Sequence, residues 1–262
     1  MRRVGRALTR HAAGRHVCCT PTTAPWEDII TRYHLLSESN YKADKSADLV
    51  GWLTGTLQLA PGRLSGYEVC FDRGHCYPTC VFYAGRGGFD STKQARIRRT
   101  KLLHENPDAF YHLLSEDLAK LSRAAEKLGL EPCCRPNCFS DVPWEERMPQ
   151  LFTEWPGIQF YDYTKSAERT DLFAGNSDWP ANYHLTYSWS EKSKPRVVAK
   201  WMDRGVSVAI PMRENRQLPP ALEGRPIVDG DQHDAIFLHP PGSVLVLKPK
   251  GLARTARTEF IP

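Results

Sequence analysis

From Glu131 onward the chain alternates short strand-like runs with helix-like ones, and this alternation restricts the architecture more than any other feature. Strand-like segments fall at 131–138, 158–163, 183–189, 206–210, 226–229 and 243–248. Helix-like segments lie near 145–155 and from 194 to 204, the latter stopped by Gly205. Strands separated by helices pair in parallel through right-handed crossovers, which leaves a doubly wound sheet or an open or closed α/β barrel. The run from Tyr183 to Ser190 chooses between them. Side chains alternate across a strand, so His184, Thr186, Ser188 and Ser190 share one face, and Tyr183, Leu185, Tyr187 and Trp189 the other. A sheet covered by helices on both sides has no place for the polar face. A barrel turns its apolar face to the helices and its polar face to a functional interior. The expected fold is therefore α/β: an open or incomplete parallel barrel over residues 106–262, preceded at 27–105 by an N-terminal cap and a cysteine loop with a basic helix.

Asn106-Pro107 reads as the N-cap and first-turn proline of a long helix. Phe110, Leu114, Leu118, Leu121, Ala125 and Leu128 recur every three or four residues as one buried stripe, and Gly129 supplies the stop. A preceding helix is expected from an Asp90 or Ser91 cap to about His104. The stretch from Trp26 to Gly66 is short-patterned and turn-rich, and reads as the cap.

No run of about 18 apolar residues exists, so no membrane span is expected. The eight cysteines come in tight groups (18 and 19; 70, 76 and 80; 133, 134 and 138), which favours metal and a reducing cytoplasm over a disulfide framework. Residues 1–26 hold five arginines and no acid, equal to the whole net charge of +5. That segment reads as a disordered tail, with a transit peptide, a nucleic-acid arm or an over-extended start as the other readings.

Cys70, Cys76 and Cys80 lie within one short loop. Three thiolates hold three irons of a 4Fe-4S cluster and leave the fourth open, whereas a closed zinc site needs a fourth ligand, which His75 could supply. The cluster is the leading expectation and zinc the alternative. Cys133, Cys134 and Cys138 read as buried thiols, with Cys134 and Cys138 on one strand face and Cys133 on the other. The basic run after Gly85, Gly87 and Gly88 offers Arg86, Arg96, Arg98 and Arg99 as phosphate or nucleic-acid ligands, or as a solvated helix face. Arg135, Asn137, Asp141, Asp162, Tyr163, Lys165, Glu191, Asp229 and Asp231 fall at strand ends, where parallel α/β folds build their sites. The aspartates among them suggest divalent-ion hydrolysis as a third reading, although they form no compact motif.

The chain resembles the phage and prophage gene product 88 family. The similarity runs from about Leu36 to Gly251 through Ser-Gly-Tyr-Glu-Val-Cys at 65–70, Ala-Gly-Arg-Gly-Gly at 84–88, Gln-Ala-Arg-Ile-Arg-Arg-Thr at 94–100, Phe-Tyr-Asp-Tyr-Thr-Lys at 160–165 and Tyr-His-Leu-Thr-Tyr-Ser-Trp-Ser-Glu at 183–191. More distantly it resembles the radical SAM enzymes, in which three loop cysteines hold a 4Fe-4S cluster at the mouth of an incomplete barrel. Five and then three residues separate the cysteines here, against three and then two in the usual pattern. The resemblance implies Cys70, Cys76 and Cys80 as cluster ligands, and Arg135, Asn137, Asp162, Lys165, His184, Ser188 and Glu191 as candidates for holding S-adenosylmethionine. It also implies a reductant such as ferredoxin or flavodoxin. The phage setting and the basic helix suggest a nucleotide or nucleic-acid-related substrate in the host cytoplasm. The competing expectation is a non-catalytic nucleic-acid-binding protein braced by zinc or a cluster.

Overall fold

Eight strands form one sheet in the order β1–β2–β3–β4–β5–β6–β8–β7 in a computed structural model that describes residues 34–37, 41–213, 217–258 and 260–261. The basic segment 1–26 and the side chain of Arg86 lie outside the described residues. The strands are β1 (Leu36–Ser37), β2 (Trp52–Leu57), β3 (Glu131–Arg135), β4 (Gln159–Thr164), β5 (Tyr183–Ser188), β6 (Val208–Pro211), β7 (Ile227–Asp229) and β8 (Val244–Leu247). β1 runs antiparallel to β2, and every other neighbouring pair is parallel. From β2 to β6 the strands lie side by side in chain order. Right-handed crossovers that always advance in one direction place their helices on a single face, as in a barrel, and leave the other face to loops and ligand. The two edges, β1 and β7, do not pair, so the sheet is open.

The helices are α1 (Tyr41–Val50), α2 (Asp90–Glu105), α3 (Pro107–Leu128), α4 (Trp144–Arg147), α5 (Gln150–Glu154), α6 (Ala167–Gly175) and α7 (Pro195–Asp203). α3 forms as its sequence requires. The Asn106 side chain accepts from the Ala109 N–H, Pro107 fills the first turn, and Gly129 turns left-handed at φ 66° to close the end. Phe110, Leu113, Leu114, Leu118, Leu121 and Ala125 are buried on the side that packs on β2 and β3. Each large apolar side chain withdrawn this way contributes about 1.5–3 kcal/mol. Leu128 does not join them; it is 61% exposed, so the stripe ends a turn earlier than expected. Gly55 explains how close α3 comes: a Cβ there would stand 2.9 Å from Leu121 Cδ2.

Other expectations shift. α2 begins at Asp90, but Phe89 occupies the N-cap without a side-chain bond. The helix expected over 145–155 is two short ones, because Pro149 has no N–H to donate and its ring excludes a continuous turn. The strand expected to reach Cys138 stops at Arg135, so Cys133 and Cys134 alternate faces as read but Cys138 belongs to the following loop. α1 and β2 arise within the stretch read as a cap, so the sheet begins before residue 106.

Tyr187 and Ser188 lie on the two faces of β5, the first in the core and the second in the cavity that the strand ends form. Tyr187, with Val208, Ile210 and Val244 of the neighbouring strands, packs against Val198, Trp201 and Met202 of α7. On the opposite face Cys133, Tyr161, Ala209 and Leu245 meet Ile236 from the β7–β8 connection. Phe237 beside it lies edge-on to Trp52 at 4.8 Å and plugs the interior. Among the described residues no helix is long and apolar enough to cross a membrane.

Candidate functional site

A cavity of about 460 Å³ opens where the parallel strands end: Gln58 follows β2, Arg135 ends β3, Thr164 ends β4, Ser188 ends β5, Pro211 ends β6 and Leu247 ends β8. That volume suits a small-molecule ligand. The cysteine loop forms one wall, and Ala253 and Phe260 from the C-terminal turn lie across it. Of the residues singled out in the sequence, Cys70, Cys76, Cys80, Arg135, Asn137, Asp141, Tyr163, Lys165, Ser188 and Asp231 line this cavity. Asp162, His184 and Glu191 do not, nor do Arg96, Arg98 and Arg99. Cys138 lines it as well, a fourth thiol that the strand reading had placed inside the sheet.

The loop cysteines are free thiols. Burial pushes Cys70 up to about 12 and raises Cys80, and each also feels the charge of its neighbours in the trio. Metal binding there would have to displace protons. Among the described residues no three His, Cys, Asp or Glu side chains stand close enough to hold a single ion, so His75 completes no zinc site. A lone zinc with bonds of 2.3 Å needs its thiolates about 3.8 Å apart. A 4Fe-4S cluster is larger than an ion and takes thiolates spread around it. Cys70, Cys76 and Cys80 line one cavity without closing on a single point.

The loop is held in place by the β5–α7 connection. Glu191 Oε1 accepts from the His75 N–H at 3.0 Å, and Lys192 Nζ donates to the carbonyls of Asp72 and Arg73 at 3.4 and 3.2 Å. Glu191, expected to bind cofactor, does not line the cavity and holds the thiol loop through the His75 amide. A Cβ at Gly74 would lie 1.6 Å from Glu191 Oε1. Gly74→Ala therefore has to swing Glu191 aside and release the His75 amide, at a local cost of about 1.5–3 kcal/mol for a charge-assisted bond. Hydrogen exchange is expected to quicken across residues 70–80 and nowhere else; unchanged protection there would remove this tether.

Residues 34–261 match the family model described as Gene product 88. The chain belongs to the phage gene product 88 family. No curated protein and no solved structure shows a significant match to it.

In this gene product 88 chain the basic helix α2 is partly internal. Arg96 is 6% exposed; its Nε and Nη2 donate to Gln58 Oε1 at 3.1 and 2.7 Å, and its guanidinium lies between Phe82 and Phe139, 4.9 and 4.3 Å from their ring centres. Arg99 donates through Nε and Nη2 to the His34 carbonyl. Arg98 and Lys101 remain on the exposed face.

Asp162 and Asn137 form a brace beside the cavity. The buried Asp162 carboxylate accepts from the Asn137 N–H at 2.8 Å, from Asn137 Nδ2 at 2.9 Å and from the Tyr183 hydroxyl at 2.7 Å. Tyr183 accepts from Arg169, whose fork holds Glu145 at 2.6 and 2.8 Å and Asp141 at 2.6 Å. Asp141 then accepts from Thr164 and from the Lys165 N–H. Asp162 and Asp141, two of the aspartates considered for hydrolysis, are thus joined through Tyr183 and Arg169 in one network.

Burial lifts the Asp162 carboxyl to about 7 despite these donors. The folded state consequently binds this proton more tightly than the unfolded chain, and the Asp162 contribution to stability falls as pH rises from about 4 to about 7, by at most about 1.4 kcal/mol per unit. Asp162→Asn should remove that slope, read as the difference between wild-type and variant unfolding free energies over this window. Parallel curves would contradict the assignment.

Lys165 Nζ donates to Ser188 Oγ at 2.6 Å and lies 4.5 Å from the Phe260 ring centre. Burial lowers its pKa, opposed by Cys76, Asp141 and Glu191. His184 packs edge-on to Phe173 at 5.4 Å, and burial lowers it to about 4, so it stays neutral and outside the cavity. Six cations, Lys42, Arg73, Arg135, Lys165, Lys248 and Lys250, line the cavity against three carboxylates, Asp141, Asp231 and Asp234. Lys42, Asp234 and Phe260 were missed because they lie far apart in sequence, outside any recognisable local pattern.

Proposed function

We propose that this protein holds a 4Fe-4S cluster on Cys70, Cys76 and Cys80 at the mouth of its open barrel and acts as a radical SAM-like enzyme on a nucleotide or nucleic-acid-related substrate. The observation that carries the reading is the shared cavity: three free thiols and the strand-end groups Arg135, Asn137, Lys165 and Ser188 line the same space. Held by Cys70, Cys76 and Cys80, such a cluster would supply the single electron that reductive cleavage of S-adenosylmethionine requires. The chain's own part is to bind, orient and exclude water. Lys165 and Ser188 offer an ammonium and a hydroxyl for the ligand's carboxylate beside the thiol wall, and Phe139 and Phe260 supply apolar cover. A cluster of this kind requires a reductant such as ferredoxin or flavodoxin and fits a cytoplasmic setting.

Anaerobic protein given S-adenosylmethionine and a strong chemical reductant is expected to release deoxyadenosine and methionine in equal amounts. Iron-loaded protein that releases neither would overturn the enzymatic part. The non-catalytic nucleic-acid reading draws less support from the fold, because Arg96 and Arg99 hold internal partners. It relies on Arg98 and Lys101. If it is right, Arg98→Gln with Lys101→Gln should reduce nucleic-acid binding and flatten its salt dependence by about two charges.

A further inference from the structure

The cavity carries two separate groupings of charge. Lys165 interacts with Cys70, Cys76, Asp141 and Glu191. Lys42 and Arg135 interact with each other and with Asp234 and Tyr163, and Lys42 also with Asp231. The second grouping is built by elements far apart in the chain: Lys42 from the first turn of α1, Arg135 from the end of β3, Tyr163 from β4 and Asp234 from the β7–β8 connection. Asp234 Oδ1 lies 3.4 Å from Lys42 Nζ and 3.3 Å from Arg135 Nη1. Its other oxygen accepts from the Tyr161 hydroxyl at 2.9 Å, and its N–H donates to Ser46 Oγ at 2.8 Å. Asp234 is held rigidly in place and fully used.

Three cations, Lys42, Arg135 and Lys250, share the carboxylates of Asp234 and Asp231, which leaves a surplus positive charge, with the Lys42 and Arg135 side chains only 16% and 18% exposed. Excess charge withdrawn from water is costly unless something neutralises it. Two donors at the same place also lack partners: Arg135 Nε and the Tyr163 hydroxyl are buried without a hydrogen bond. Arg135 is stacked on the Tyr163 ring, its guanidinium carbon 4.7 Å from the centre, so it is already oriented. Buried polar groups are almost always satisfied, and a guanidinium edge beside an ammonium and a phenol suits a tetrahedral oxyanion. Lys248 and Lys250 line the same cavity, with Asp231 paired to Lys250 at 2.8 Å.

The geometry points to a phosphate-binding subsite formed by Lys42, Arg135 and Tyr163, which takes the phosphate of a nucleotide-sized ligand. This deepens the proposed function by naming the substrate class, and rests on that reading for the reaction but not for the binding. A phosphate monoester, with a charge near −2, matches the cationic surplus of the lining better than a single carboxylate does.

The test is calorimetric titration of the full chain, its iron content measured alongside, with pyrophosphate, adenosine monophosphate, adenosine and succinate. Pyrophosphate and the monophosphate should bind, with adenosine and succinate weaker by about tenfold or more. Lys42→Gln and Arg135→Gln should each weaken pyrophosphate by about tenfold or more, whereas Arg98→Gln on the outer helix face should leave it unchanged. Should Arg135→Gln fail to fold, Arg135→Lys keeps the charge beside Asp234 but loses the planar fork, and is expected to lose binding too. No pyrophosphate binding, preference for succinate, or full-strength binding by both Lys42→Gln and Arg135→Lys would overturn the subsite. Phosphate binding by a chain that never takes up iron would keep the subsite and remove the cluster; iron uptake without phosphate binding would do the reverse.

Discussion

Cys76→Ala is expected to cut the iron of anaerobically prepared protein from about four per chain to less than one, and to abolish deoxyadenosine release. Cys70→Ala and Cys80→Ala should behave alike, because an open-iron cluster has three protein thiolates and no spare. Cys138 provides the control. It lines the same cavity, but its thiol points to its own loop, within 3.9 Å of the Arg135 carbonyl. Cys138→Ala should therefore keep its iron. Loss of iron from Cys138→Ala, equal to that from Cys76→Ala, would mean a closed four-thiolate site with no iron open to a ligand, and the enzymatic reading would fall even with a cluster present.

The largest loss of stability should come from Arg169. This residue is 4% exposed, and its side chain joins Glu145 of α4, Asp141 of the loop after β3 and Tyr183 of β5. Asp141 in turn bonds Thr164 and the backbone of Lys165, and its own N–H donates to the Val69 carbonyl at the base of the cysteine loop. Removing the guanidinium leaves two carboxylates and a phenol without their cation, which costs about 3–5 kcal/mol for a buried pair. At roughly 2–4 °C per kcal/mol for a chain of this size, Arg169→Met should melt about 10 °C lower. Arg169→Lys should recover only part of this, since an ammonium lacks the two-pronged fork that grips Glu145. A loss below about 1 kcal/mol in Arg169→Met, measured by denaturant unfolding, would show that the network does not brace the strand ends.

Elements with a local signal were legible in the sequence. α3 carries its own cap, proline, stripe and stop, and its observed bounds follow from them. β5 declared its two faces by strict alternation: Tyr187 packs with α7 and Ser188 lines the cavity, whereas His184 of the polar face packs on Phe173 of α6. β2 could not be read the same way: Trp-Leu-Thr-Gly-Thr-Leu neither alternates nor forms a continuous apolar run, and its glycine is there for the approach of α3. At the site, residue type and strand-end position brought out Arg135, Asn137, Asp141, Tyr163, Lys165 and Asp231, which line the cavity. Position alone could not separate a side chain that faces the cavity from one held by a neighbour. Asp162 and Glu191 have suitable chemistry, but one is tied to Asn137 and Tyr183 and the other to the His75 amide. Arg96 looked like a surface cation because its helix is basic all along, and only the fold shows Phe82 and Phe139 closing around it. The pairing of Lys42 with Asp234 depends on tertiary contact and has no sequence pattern.

The most direct measurement is the iron and acid-labile sulfide content of the full chain purified without oxygen. About four of each per chain, with a brown colour, is the predicted result. A colourless protein that carries one zinc per chain and no iron, or one that takes up neither metal on reconstitution, would contradict it.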